Sequence, residues 1–168
     1  MRSKIRWIAT AATVAAAGVA ATAQFATAQD PATPPAPTPV CELVTKSEAA
    51  ATLGNAVVMR DAGRVCTFTV TSSGAFSSLA VGLGPDGMKP ESLAEGMRTY
   101  AEVANVTLRT VPDTGDEAWV TLDDQLSQLV ARHGQRFVSV IFVNVKTPAD
   151  ERVATMAELA RKALTRIG

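Results

Sequence analysis

Histidine and cysteine are nearly absent: the chain holds one histidine, His133, and two cysteines, Cys41 and Cys66. A zinc or redox centre would need CxxC-like spacing or further ligands, and neither occurs. There is no EF-hand spacing of carboxylates, so no metal and no cofactor is expected. Basic charge is not in excess either, with 16 Lys and Arg against 16 Asp and Glu. Arg2, Lys4 and Arg6 belong to the extreme N-terminus; without them 13 basic side chains face 16 acidic ones, a net charge of −3. A mildly acidic chain with no basic cluster argues against nucleic acid and anionic membrane surfaces as partners.

What the N-terminus does contain is a secretory pattern. Arg2, Lys4 and Arg6 precede an uncharged, alanine-rich run over residues 7–23, and Ala-Thr-Ala occurs at 21–23 and again at 26–28. Either triplet fits small-x-small cleavage, and cleavage after Ala28 is favoured over Ala23. The alternative, an uncleaved anchor, suffers from weak alanine insertion and minimal length, so no stable membrane span is expected in the mature form. Lipid attachment is not expected, because Cys41 lies far beyond the apolar run. Residues 29–40 hold prolines 31, 34, 35, 37 and 39 and read as an extended tether without a core. Residues 41–168 suffice for one domain. An exported pair of cysteines implies a Cys41–Cys66 disulfide.

Within that domain, residues 132–145 organise the rest. After a turn at His133-Gly134-Gln135, nearly every position is β-branched or aromatic, and both alternating faces are mostly apolar. That predicts a central strand covered on both sides, or nearly so. Upstream, Thr45-x-x-Glu48 is a capping box with Gly54 as stop, giving a helix over 46–53. Strands are expected over 57–60, over 64–71 with Cys66, Phe68 and Val70 inward, and over 78–83. Pro90 can open a second helix carrying Leu93, Met97, Tyr100, Ala101 and Ala104 on its apolar face. Strands over 105–111, 118–122 and 127–132 follow. A last helix should have Thr147 as N-cap and Pro148 in its first turn, with an apolar stripe from Val153 to Ile167. The expected class is α+β: a mainly antiparallel sheet of about six to seven strands with about three helices packed on it. Residues 58–64 and 130–136 echo one another as arginine-flanked turns, which makes an αβββ pseudo-repeat a candidate.

Few residues could carry chemistry. His133 could act as a general base, and a small hydrolase would pair it with Asp116 or Glu117. Ser139, in mid-strand, lacks the glycine elbow that exposes a nucleophile, so no catalytic residue is assigned. The acidic pairs 116–117 and 123–124 fit solvated loop charge, since neighbours on an extended segment point apart. Arg60, Arg64, Arg132 and Arg136 flank two turns and would form an anion-binding rim if both turns share one end of the sheet. Trp119 fits half-buried packing, with ligand or partner contact as the alternative.

Several stretches together resemble a known group. Cys41-Glu42-Leu43-Val44-Thr45, the run Glu48 to Gly54, Cys66-Thr67-Phe68, Gly115-Asp116-Glu117-Ala118-Trp119, Arg136-Phe137-Val138-Ser139-Val140 and Ala160-Arg161-Lys162-Ala163-Leu164 are similar to a family of small exported bacterial domains of unknown function. Members are often lipoproteins, chiefly from high-GC Gram-positive bacteria. The resemblance implies a shared fold and the cysteine pair, and it assigns no activity. The expected function is a non-enzymatic binding or accessory module of the cell envelope, taking an envelope protein or small ligand as partner. The alternatives are the His133 hydrolase and an inhibitor or partner-binding domain using the arginine end.

Overall fold

The computed structural model describes residues 39–70, 76–85 and 88–167. The signal-like segment and nearly all of the proline tether lie outside the described residues, as do 86–87 and 71–75, the latter including the last residue of the strand expected over 64–71.

The capping box forms as its spacing dictates. Thr45 Oγ1 accepts from Glu48 N at 3.2 Å, Glu48 Oε2 accepts from Thr45 N at 2.8 Å, and α1 (Lys46–Leu53) ends on left-handed Gly54. Three strands follow, β1 (Val57–Asp61), β2 (Val65–Val70) and β3 (Ser78–Leu83). Then come α2 (Pro90–Ala104), β4 (Thr107–Thr110), β5 (Glu117–Leu122), β6 (Leu126–His133), β7 (Arg136–Val143) and α3 (Ala149–Ile167). All seven strands join one antiparallel sheet in the order β1-β2-β3-β7-β6-β5-β4, so the stretch that reads as the central strand is the middle one. This is an α+β fold.

One face of the sheet closes over the main core. Cys66, Val81, Val140, Leu129 and Val120 lie abreast across five strands by their pairing register, and all are fully buried. α3 lies on this face against β6 and β7, while α1 packs against β1, β2 and β3. Cys41, beside α1 in a 3-10 turn (Val40–Glu42), is disulfide-bonded to Cys66 with the Cα atoms 5.0 Å apart. The bond fastens the segment before α1 to the inner face of β2.

The other face is only partly covered, unlike the sequence-based expectation for β7. α2 reaches β4 and β5, burying Met97 and Ala101, whereas Ser139, Ile141 and Val143 of β7 stay half exposed. The buried stripe of α2 is correspondingly narrow. Tyr100 and Ala104, expected on its apolar face, are exposed because the helix touches so few strands.

Left-handed residues shorten two expected strands. Asn105 (φ 53°) ends α2 as a C-cap, so β4 starts two residues late; Asn144 (φ 54°), donating its N–H to Gln125 O at 2.7 Å, ends β7 early. α3 also begins later than its Thr-Pro signal suggests. Pro148 O accepts the first helical bond from Arg152 N, which places Pro148, not Thr147, at the cap position. The arginine-flanked echo falls on non-equivalent hairpins, the outermost pair β1–β2 and the inner pair β6–β7, so the topology lends a duplication no support.

Candidate functional site

The antiparallel registers put the β1–β2 and β6–β7 turns at the same end of the sheet, together with the start of β5. All of the expected polar candidates lie toward this end, Arg60 one residue back from the end of β1. Gly115 makes the approach to β5 feasible. Its φ is +72°, and a Cβ there would collide with the carbonyl oxygen of Arg132. Only glycine lets the chain pass this close, and Asp116 N then donates to the same oxygen at 2.7 Å.

That crossing sets Asp116 beneath the β6–β7 turn. Its Oδ2 accepts from Gly134 N at 2.7 Å and lies 3.3 Å from Arg132 Nη1, while Oδ1 is 3.3 Å from His133 Nδ1. Arg132 Nη1 also donates to Gly134 O at 2.8 Å. Glu117, the first residue of β5, pairs with Arg132 in register and stands 3.5 Å from Arg132 Nε, so both carboxylates reach the same guanidinium. That Nε is buried and makes no hydrogen bond among the described residues, so its contact with Glu117 is electrostatic only. The Gly134 N–H, seconded by His133 and Arg132, holds the Asp116 carboxyl below its usual range. Asp116 is thus a carboxylate that fastens a hairpin turn.

His133 itself remains 63% exposed. It borders a shallow cavity of about 340 Å³ with Asp113, Gly115, Arg161, Leu164 and Thr165. The one hydroxyl among the described lining residues, on Thr165, donates to Arg161 O at 2.9 Å. So His133 meets Asp116, one of the two carboxylates the hydrolase alternative would pair with it, in an open setting.

The four arginines do not converge on a small ion. Arg64 donates to Gly84 O, and Arg132 is engaged as described. Arg60 sits in β1 opposite Thr67, and Arg136 opens β7 opposite His133. Four strand spacings separate β1 from β6, roughly 19 Å, beyond what one small anion bridges. The end carries cations spread from β1 to β6, with the Asp116 and Glu117 carboxylates beside β6 at the start of β5.

Trp119 is half buried, in register with Thr110 and Val130 on the face that α2 partly covers. A cavity of about 420 Å³ opens beside it, bordered by Pro112, Asp116 and Glu117.

Sequence reasoning missed a second ionic cluster nearby. Arg166 near the end of α3 grips Glu48 through both terminal guanidinium nitrogens, Nη1 and Nη2, each at 2.8 Å, and Nη1 also donates to Leu43 O at 2.7 Å. Lys162 adds contacts to Glu48 at 3.7 Å and to Glu158 at 2.7 Å. The Arg166 bonds, helped by Thr45, pull the Glu48 carboxyl down to about 2. The capping box was a legible half of this cluster; its partner lies 118 residues away.

Among the described residues there is no grouping of three or more His, Cys, Asp or Glu that could hold a metal ion, and no helix long and apolar enough to cross a membrane. Comparison with protein-family models, curated proteins and solved structures returns no match.

Proposed function

We propose that the domain is a non-enzymatic binding or accessory module of the cell envelope, exported by its N-terminal signal and held on a proline-rich tether. The observation that carries this reading is the state of Asp116. The carboxylate best placed to serve His133 is already committed to Gly134, Arg132 and the turn it closes. With Asp116 fastening the turn, His133 exposed and the one hydroxyl of the described lining, on Thr165, donating to Arg161 O, no nucleophile–base pair is assembled there. The disulfide accords with an oxidising compartment, and the resemblance to small exported domains points the same way. Affinity capture from envelope extract with the tethered domain should recover a reproducible partner. Thermal-shift screening against envelope ligands should likewise raise its melting temperature. Turnover of any substrate that disappears in His133→Ala would overturn the reading.

A second reading has one specific observation behind it, the 3.3 Å separation of His133 Nδ1 and Asp116 Oδ1. A small hydrolase would use the carboxylate to orient the imidazole and Nε2 to activate water. Ester or amide hydrolysis lost in both His133→Ala and Asp116→Asn, with each variant folded, is the result it demands.

A further inference from the structure

The opposite end of the sheet is built differently. A cavity of about 520 Å³ opens there between the end of α1, the residues entering β3 and the β7–α3 connection. Its volume lies within the usual range for a small-molecule site, roughly 300–1,000 Å³. Thr52, Ser77, Asn144 and Thr147 border it, with Lys146 as the single charged residue and Phe76 as the aromatic one among the described residues. Phe76 is 60% exposed, an unusual place for a large apolar ring in a domain that buries Phe68, Phe137 and Phe142. Asn144 is brought here by its left-handed backbone, which stops β7 two residues short of the expected end and turns the chain around the cavity.

We infer that this cavity binds a sugar ring carrying a carboxylate. Three hydroxyls and an amide supply both donors and acceptors, which suits a ligand dense in hydroxyl groups. The open face of Phe76 can stack on the C–H face of a pyranose, a surface that water solvates poorly. Lys146, with no carboxylate among the described lining residues, supplies a point charge for an anionic substituent. A wholly apolar ligand would leave the polar groups unpaired, and a polyanion would find a lone cation. The inference rests on the binding-module reading, and it adds a site and a ligand class to it.

Isothermal titration of the full mature chain with a uronic-acid trisaccharide, the free uronic acid and a neutral glucose trisaccharide tests the assignment. The acidic trisaccharide should bind most tightly, the monosaccharide acid more weakly and the neutral sugar weakest. Phe76→Ala should weaken all three by about tenfold, and Phe76→Tyr should preserve binding. Lys146→Gln should cost about fivefold for the two acids and leave the neutral sugar unchanged. His133→Ala should bind as wild type. No heat or saturation with the acidic trisaccharide, or acid affinities untouched by both Phe76→Ala and Lys146→Gln, would overturn the site. Envelope capture by the wild-type chain together with no binding of the acidic trisaccharide removes this inference alone. Turnover dependent on His133 would instead remove the reading beneath it.

Discussion

The two ends of the sheet spend their polar groups in opposite ways. Where β5 begins and β6 turns into β7, Asp116, Glu117, Arg132 and His133 face one another, and Arg166 closes on Glu48 nearby. At the far end Thr52, Asn144, Lys146 and exposed Phe76 border a cavity. The first end resembles a functional site in composition, because it gathers the histidine, the acids and the arginines. Its bonds, however, run to backbone and to each other. The second end is plain in sequence, yet it leaves an aromatic face and a cation toward solvent. Residue type alone is therefore a poor guide to which end binds; what matters is whether the polar atoms are already committed.

The largest expected effect comes from breaking the packed end at its closest approach. Gly115→Ala combines a left-handed backbone with a collision against Arg132 O, and should cost roughly 3–5 kcal/mol of stability, read as a shift in denaturant midpoint. A midpoint unchanged within error would mean that β5 does not cross Arg132 as described.

Next is the Cys41–Cys66 bond, which fastens the segment before α1 to the inner face of β2. Replacing both cysteines by serine should lower stability by about 3 kcal/mol. Mass spectrometry of the unreduced protein should show two fewer hydrogens than the reduced form.

A smaller effect sharpens the comparison through pH. Glu48 has its carboxyl lowered to about 2 in the folded protein, chiefly by Arg166. A depressed carboxylate stabilises above its unfolded value of 4.5, and that contribution fades as pH falls toward about 2. Glu48→Gln should therefore cost about 1–2 kcal/mol at neutral pH, after allowance for solvent screening, and flatten the acid limb of the stability curve. An acid limb identical to wild type would show the Arg166 pair to be idle.

Much of the fold was legible because its determinants are local. Thr45 and Glu48 are three residues apart, Gly134 marks a hairpin, and the alternation in 66–70 gives the inner face directly. The disulfide followed from compartment and count. The site was less legible because it depends on register. That Asp116 lies under Gly134 follows from Glu117 pairing with Arg132, which no local pattern specifies. The bond between Glu48 and Arg166 joins the start of one helix to the last turn of another, so capping rules show only half of it. Covering of one face rather than two depends on where α2 lands. The early end of β7 and the late start of β4 turn on single asparagines, whose αL tolerance is clear only once a backbone is in hand.

Equilibrium unfolding of Asp116→Asn and Phe76→Ala, measured side by side at neutral pH, tests the contrast between the two ends most directly. The account predicts a clear loss of stability for Asp116→Asn, since the turn loses its anionic acceptor, and a change within about 0.5 kcal/mol for exposed Phe76→Ala. The reverse result, a stable Asp116→Asn beside a destabilised Phe76→Ala, would contradict it.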